Sequence, residues 1–243
     1  MSKVIIGIVA KHNGEIKKRP DTYIRDEVKQ AIFDNGAIAI GILPPEKEIK
    51  LCGNDWKDTL TEKEREDLLE QISLCDGIII QGGTQNDEYE NIIAKYCYDN
   101  NIPILGICAG QNIIVRALGG TTTKVTNPEK HNNITDDYVH NIEINKDSRF
   151  YTIIQKNEIM VNSRHNNTVE RCPLLNKVAF CEDGYADVVE SENKDFYIGV
   201  RFHPESLYKI DENHNRIFKE FIKSCKNRNN VNGDGVFWQP SNR

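Results

Sequence analysis

In the first two-thirds of the chain, short runs that are apolar at nearly every position alternate with segments of helical periodicity. Val4–Ala10, Ile38–Leu43, Gly77–Gln81 and Pro103–Ile107 read as strands, the second closed by Pro44-Pro45 and the third by Gly82-Gly83. A strand apolar on both faces must be covered on both faces, and helices between successive strands provide that cover in a parallel sheet. The spacing predicts helices over Thr22–Asn35, Thr61–Leu74, Glu88–Asn100 and Gln111–Leu118. The first places Ile24, Val28, Ala31 and Ile32 on one face, with Gly36 as its stop. The second opens with Thr61 and Glu64 at capping-box spacing.

From Val139 onward the strands are shorter and more mixed: Val139–Ile144, Ile159–Val161, Val178–Cys181, Ala186–Glu190 and Phe196–Phe202. A last helix, Glu212–Cys225, is expected to pack back on the sheet. There is no internal repeat and no Pro/Gly/Ser-rich linker, so residues 1–226 read as one domain. Residues 227–243, rich in Asn and Gly, read as a flexible tail in which Phe237 and Trp238 could dock.

Composition narrows the classes of function. The apolar set is 38% of 243 residues, and the 16 glycines bring it to about 45%, enough for a sizeable core. The net charge of −6 supplies no global basic field, so no nucleic-acid partner is expected. No apolar run approaches the roughly 18 residues of a membrane span. Met1-Ser2-Lys3-Val4-Ile5-Ile6-Gly7 leads straight into a strand and lacks the form of a signal peptide. Cytoplasmic localisation is therefore expected. The seven cysteines are odd in number, irregularly spaced and without a CxxC pair, which fits neither a disulfide framework nor a zinc knuckle.

One cysteine stands apart. Ile104-Leu105-Gly106-Ile107-Cys108-Ala109-Gly110-Gln111 runs an apolar strand into a helix through Gly-x-Cys-x-Gly, the form of a nucleophile elbow with a thiol in place of a hydroxyl. A helix N-terminus behind Cys108 favours thiolate, and the Ala109 amide points at the same place as half of an oxyanion hole. A thiolate nucleophile needs an imidazole base and a group to orient it. His203, delivered at a strand end in Arg201-Phe202-His203-Pro204-Glu205, meets the first need, and Glu205 can turn back to the far ring nitrogen. Gly82-Gly83 ends a strand on the same sheet edge and is placed to give the second oxyanion donor.

Taken together, Gln81-Gly82-Gly83, Gly106-Ile107-Cys108-Ala109-Gly110 and Phe202-His203-Pro204-Glu205 resemble the class I glutamine amidotransferase superfamily. Within it, Ala117-Leu118-Gly119-Gly120-Thr121, Val161-Asn162-Ser163-Arg164-His165 and Ala179-Phe180-Cys181-Glu182-Asp183-Gly184-Tyr185 resemble the gamma-glutamyl-gamma-aminobutyrate hydrolase-like branch. The resemblance runs in order from about Val4 to Cys225. It implies a flavodoxin-like three-layer α/β/α fold with a mostly parallel sheet. It also implies Cys108 as nucleophile, His203 as base, Glu205 as orienter, and oxyanion amides at Gly83 and Ala109. Gly82, Asn112, Arg164 and His165 are then expected at the substrate.

The chain departs from the branch in three places. Thr84-Gln85-Asn86-Asp87-Glu88-Tyr89 is short and lacks the branch's proline; Asn112 stands where a glutamine is common; and Asn166-Asn167 replace a second histidine and a glutamine. His12 and His131 fall in polar loops, His140 starts a strand and His214 opens the last helix. With no pair at a spacing such as His-x-x-x-His, no metal is expected. Lys17-Lys18-Arg19 reads as a solvated loop.

The expected activity is cleavage of a γ-glutamyl amide, in a γ-glutamyl amine or a glutamine-like substrate, through a thioester and without a cofactor. A homo-oligomer is compatible with this. One alternative is a glutaminase subunit that hands ammonia to a separate synthetase chain. The other is a non-catalytic binding or regulatory protein on the same scaffold, against which an intact Cys–His–Glu set argues.

Overall fold

The computed structural model describes residues 3–12, 21–46, 50–83 and 86–232. Lys17-Lys18-Arg19, Thr84-Gln85 and Phe237-Trp238 lie outside the described residues.

The four apolar runs form β1 (Ile5–Val9), β2 (Ile38–Ile42), β3 (Gly77–Ile80) and β4 (Ile104–Ile107). The later strands are β5 (His140–Ile144), β6 (Glu158–Val161), β7 (Asn176–Cys181), β8 (Ala186–Glu190) and β9 (Tyr197–Val200). All nine join one sheet in the order β6-β5-β7-β8-β9-β4-β3-β1-β2. From β9 to β2 every pair is parallel. The other end is an antiparallel extension joined through β8. The order β2-β1-β3-β4-β9 is that of a flavodoxin-like doubly wound sheet, and ligand sites in such sheets lie beyond the carboxyl ends of the strands.

Among the described residues, six helices cover the sheet: α1 (Asp26–Asp34), α2 (Glu62–Ser73), α3 (Glu88–Asp99), α4 (Ala109–Ala117), α5 (Arg149–Ile154) and α6 (Glu212–Asn232). Strand alternation sorts two cores. Ile6, Ile8, Ile79, Leu105 and Val200 face α1, α5 and α6, packing against Val28, Phe150 and Phe218. Val9, Ile78, Ile80, Ile104 and Tyr197 face α2, α3 and α4, packing against Leu68, Ile93 and Ile113. Both faces being covered is why these strands are apolar throughout. α4 is buried along its whole length, which matches its near lack of charge.

Several boundaries differ from expectation for identifiable reasons. α1 starts at Asp26 rather than Thr22, because Thr22–Tyr23 instead pairs with Lys11–His12 as a short ribbon. Buried Gln81 holds that segment extended: its amide donates to the Val9 and Tyr23 carbonyls and its oxygen accepts from the Arg25 N–H at 2.9 Å. Thr61 and Glu64 do form the capping box of α2. α6 runs on to Asn232, past Cys225. The six-residue α5 is capped by Ser148, whose hydroxyl accepts from the Tyr151 N–H at 3.0 Å. Two further ribbons, Thr121–Lys124 with Asn167–Arg171 and Asn132–Asn133 with Ser163–Arg164, stand outside the sheet.

Candidate active site

Cys108 sits between the last residue of β4 and the first of α4, at φ 52° and ψ −104°. A side chain held there costs on the order of 1–3 kcal/mol, so the surroundings must impose it. They do so through close packing at the flanking glycines. A Cβ on Gly110 would lie 2.0 Å from the Ile80 carbonyl oxygen, and one on Gly106 2.7 Å from that of Gly110. With no side chain at either position, α4 drops onto β3 and β4 and forces the turn between them. The Cys108 N–H donates to the Val200 carbonyl at 2.8 Å, which ties the elbow to β9.

β9 ends at Val200 and leads through Arg201 and Phe202 to His203, which Pro204 turns into a single 3₁₀ turn, Pro204–Ser206. That turn swings Glu205 back so that its Oε1 lies 2.7 Å from His203 Nδ1, with Glu205 only 2% exposed. The His203 ring is thereby oriented toward Cys108. Burial alone would raise the Cys108 thiol, but the charge and hydrogen bond of His203 and the charge of Arg201 outweigh it, leaving the thiol below its ordinary value. Burial likewise disfavours charge on His203, but Glu205 and Cys108 reverse it and lift the imidazole to about 10. Both shifts favour a thiolate–imidazolium pair with a carboxylate behind it.

Of the remaining expected residues, Gly82, Ala109 and the Arg164 backbone lie beside this pair. A Cβ on Gly82 would lie 2.8 Å from His203 Cε1 and 3.4 Å from Cys108 Cβ, so glycine keeps the space beside the pair open. Gly83 packs against the side chain of Lys11, which is itself buried and ion-paired with Glu90 at 2.5 Å. Ala109 opens α4, so its N–H has no acceptor within the helix. Asn112, one turn on, is 4% exposed and its Oδ1 has no hydrogen-bond partner among the described residues. The carbonyl oxygen of Arg164 is 4.0 Å from Cys108 Sγ, while its guanidinium reaches away to the Ser206 hydroxyl at 3.2 Å. His165 is buried, with its Nδ1 3.0 Å from the Asn167 carbonyl, and burial together with the nearby Arg201 charge pushes its pKa down to about 2.

Two residues that sequence reasoning passed over hold the site together. Asn162 bonds the backbone of His203 on both sides, its amide donating to the His203 carbonyl at 2.9 Å and its oxygen accepting the His203 N–H at 2.7 Å. Arg201, 1% exposed, donates from Nη1 to the Cys108 carbonyl at 3.3 Å. Both lie in segments already singled out, but nothing in the sequence told which side chain turned inward. The structure also gathers His131, His140 and Cys181, a grouping that local spacing cannot show.

Comparison with known proteins adds the family context. Residues 83–205 match the peptidase C26 family, a stretch that contains the cysteine elbow and ends at Glu205. The CTP synthase of Chlamydia trachomatis serovar L2 is 32% identical over 196 residues, covering 67% of this chain. This chain spans only 36% of the length of that relative. A subunit of the glutamine-hydrolysing GMP synthase from Picrophilus torridus is 31% identical over 161 residues, covering 63% of this chain and 78% of the relative. Among solved structures, the glutaminase domain of Trypanosoma brucei CTPS with bound acivicin superposes with a TM-score of 0.68, covering 93% of this chain and 94% of that one. At 18% identity, that likeness speaks for the fold.

Proposed function

The chain belongs to the peptidase C26 family, within the class I glutamine amidotransferase superfamily, and we propose that it is a thiol amidohydrolase cleaving the side-chain amide of a γ-glutamyl substrate. One observation carries this reading. Among the seven cysteines, Cys108 is the one whose thiol is held below its ordinary value, and the imidazole that holds it there is oriented by a buried carboxylate.

Cys108 Sγ attacks the amide carbonyl, and the N–H groups of Gly83 and Ala109 receive the oxyanion. His203, charged at neutral pH, passes its Nε2 proton to the departing amine as the C–N bond breaks. Water then adds to the thioester with His203 as base, releasing the γ-carboxylate and restoring the thiol. Glu205 keeps Nδ1 protonated and the ring turned to the sulfur throughout. The unpartnered Oδ1 of Asn112, on the helix face that follows Cys108, suits the α-ammonium of a glutamyl group. Gly82 leaves room for the scissile amide, and the Arg164-His165 segment lines the glutamyl side of the pocket.

The test is glutamate release from glutamine and from a panel of γ-glutamyl amines by the purified chain, with Cys108→Ala as control. Release from the amines without any added protein supports the free-standing hydrolase. No release by the wild-type chain, or equal release by Cys108→Ala, overturns the mechanism. The likeness to the GMP synthase subunit favours a second reading, in which glutamine is the substrate and ammonia passes to a separate synthetase chain. Weak release confined to glutamine would select it.

A further inference from the structure

His131, His140 and Cys181 come from three separate segments: the end of the short helix Pro128–His131, the first residue of β5 and the last residue of β7. The β7–β5 ladder sets Cys181 opposite Ile142, two residues from His140, so His140 and Cys181 are diagonal neighbours on one sheet face. His131 closes over them with its ring 5.5 Å from that of His140. One ligating atom from each of the three residues lies within 4.8 Å of the others.

These groups are short of partners. His131 is 2% exposed; its Nε2 faces Asp183 Oδ2 at 3.3 Å, and among the described residues its Nδ1 has no hydrogen-bond partner. His140 Nε2 has none either, although Asp187 Oδ2 stands 3.5 Å away. Asp187 is itself 2% exposed, and among the described residues that same oxygen has His140 as its ion-pair partner but no hydrogen bond of normal geometry. Buried polar atoms in folded proteins are almost always bonded. Here two imidazoles and a thiol converge with a carboxylate beside them, and a cation would satisfy such a set of donors better than their weak mutual contacts do.

We propose that His131, His140 and Cys181 form a binding site for a zinc-class divalent metal ion, with the Asp187 carboxylate beside His140 drawn in as fourth ligand. Two imidazoles on one tetrahedral zinc have ring centres roughly 5 Å apart, given Zn–N bonds of about 2.0–2.1 Å. The 5.5 Å found here is close to that. Tetrahedral ligand atoms lie roughly 3.5 Å apart, so the triangle closes by about 1 Å. Thiolate and imidazole together select zinc or cobalt over magnesium or calcium. Cys181 gives up its proton to solvent as the ion binds. The Asp183–His131 pair supplies the carboxylate that commonly orients a metal-bound histidine.

With Asp187 drawn in, no open position remains and the site is structural. Its reach to the catalytic centre is nonetheless short. The His131 carbonyl accepts from the His165 N–H at 2.8 Å and the Ser163 hydroxyl at 2.9 Å, and between them the Arg164 carbonyl approaches Cys108 Sγ. An ion here fastens that segment over the nucleophile.

The experiment uses the full chain carrying Cys108→Ala, so that the nucleophile cannot bind metal, stripped with a chelator and titrated with Zn²⁺ and Co²⁺. One equivalent of Zn²⁺ should bind and raise the melting temperature, and Co²⁺ should show a thiolate charge-transfer band. Adding Cys181→Ser should abolish the band, and adding His140→Gln should weaken Zn²⁺ binding by about 10-fold or more. Circular dichroism checks folding, and His140→Gln decides the matter if Cys181→Ser does not fold. No stoichiometric binding, or binding indifferent to both substitutions, overturns the proposal.

Discussion

Asn162 holds His203 by the backbone, giving a hydrogen bond to its carbonyl at 2.9 Å and taking one from its N–H at 2.7 Å. Both residues are buried, and the clamp joins the end of β6 to the turn after β9. The imidazole is thus fixed from two sides, by Asn162 at its backbone and by Glu205 at its ring. Asn162→Ala should lower kcat by about 10- to 100-fold with KM little changed, in line with misplacement of the base by a fraction of an ångström. It should also cost about 1–3 kcal/mol in stability, since the His203 N–H is left buried and unpaired. Asn162→Asp keeps the acceptor for that N–H and should recover part of kcat. Steady-state kinetics with urea unfolding checks both effects.

The cysteines should separate by pH. Burial raises the thiols of Cys52 and Cys181 to about 11 and that of Cys75 to about 12, and also raises those of Cys97, Cys172 and Cys225. Cys108 alone moves down, so its thiolate persists below the usual thiol range and is lost only as pH falls through its lowered value. At neutral pH iodoacetamide should therefore modify Cys108 first, with loss of activity in step. On the alkaline side the imidazolium is lost as pH rises through about 10, and turnover should fall there. Peptide mapping at several pH values reads the first effect and a kcat profile the second. Preferred labelling of any other cysteine would mean that the elbow does not activate its thiol.

Two glycine substitutions should part stability from activity. At Gly110 an added methyl meets the Ile80 backbone oxygen at 2.0 Å, which cannot yield, so Gly110→Ala should cost about 3 kcal/mol or more and shift the urea midpoint. At Gly82 the methyl meets the edge of the His203 ring at 2.8 Å, and a ring can tilt. Gly82→Ala should leave the midpoint nearly in place while lowering kcat by about 100-fold, the cost of roughly 1 Å of misplacement.

What could be read in the sequence was what is local. Gly106, Cys108 and Gly110 lie within five consecutive positions, and their small size and order already require a strand–turn–helix elbow. The His203–Glu205 pair spans one turn and was equally legible. The Asn162–His203 clamp bridges 41 positions; the motif Val161-Asn162-Ser163-Arg164-His165 marked the segment, but the register of β6 decides that Asn162 is the residue that meets the base. His131, His140 and Cys181 are further still from legible, because their grouping depends on the β5–β7 register, and β7 itself shifts register against β8. α5, six residues long, is too short for helical periodicity to show. The start of α1 moved because a side chain from the end of another strand, Gln81, competes for the Thr22–Arg25 backbone.

The last prediction separates His203 from Glu205. Proton transfer by a positioned base is worth about 100- to 10,000-fold, so His203→Ala should lose that much in kcat/KM. Glu205 bonds the far nitrogen, at 2.7 Å, and its remaining oxygen has no hydrogen-bond partner among the described residues. Under the proposed mechanism its work is to keep the ring turned and charged, and Glu205→Gln should cost about 10- to 1,000-fold by analogy with triad orienters. With the imidazole gone there is nothing left to orient, so the double variant should fall little below His203→Ala alone. Glu205→Gln should also draw the alkaline limb of the kcat profile downward from about 10, because the carboxylate is the largest influence holding the imidazole up. A double-mutant cycle on one good γ-glutamyl substrate measures the coupling. Losses that simply multiply would show Glu205 acting independently of His203, and the triad assignment would then fail.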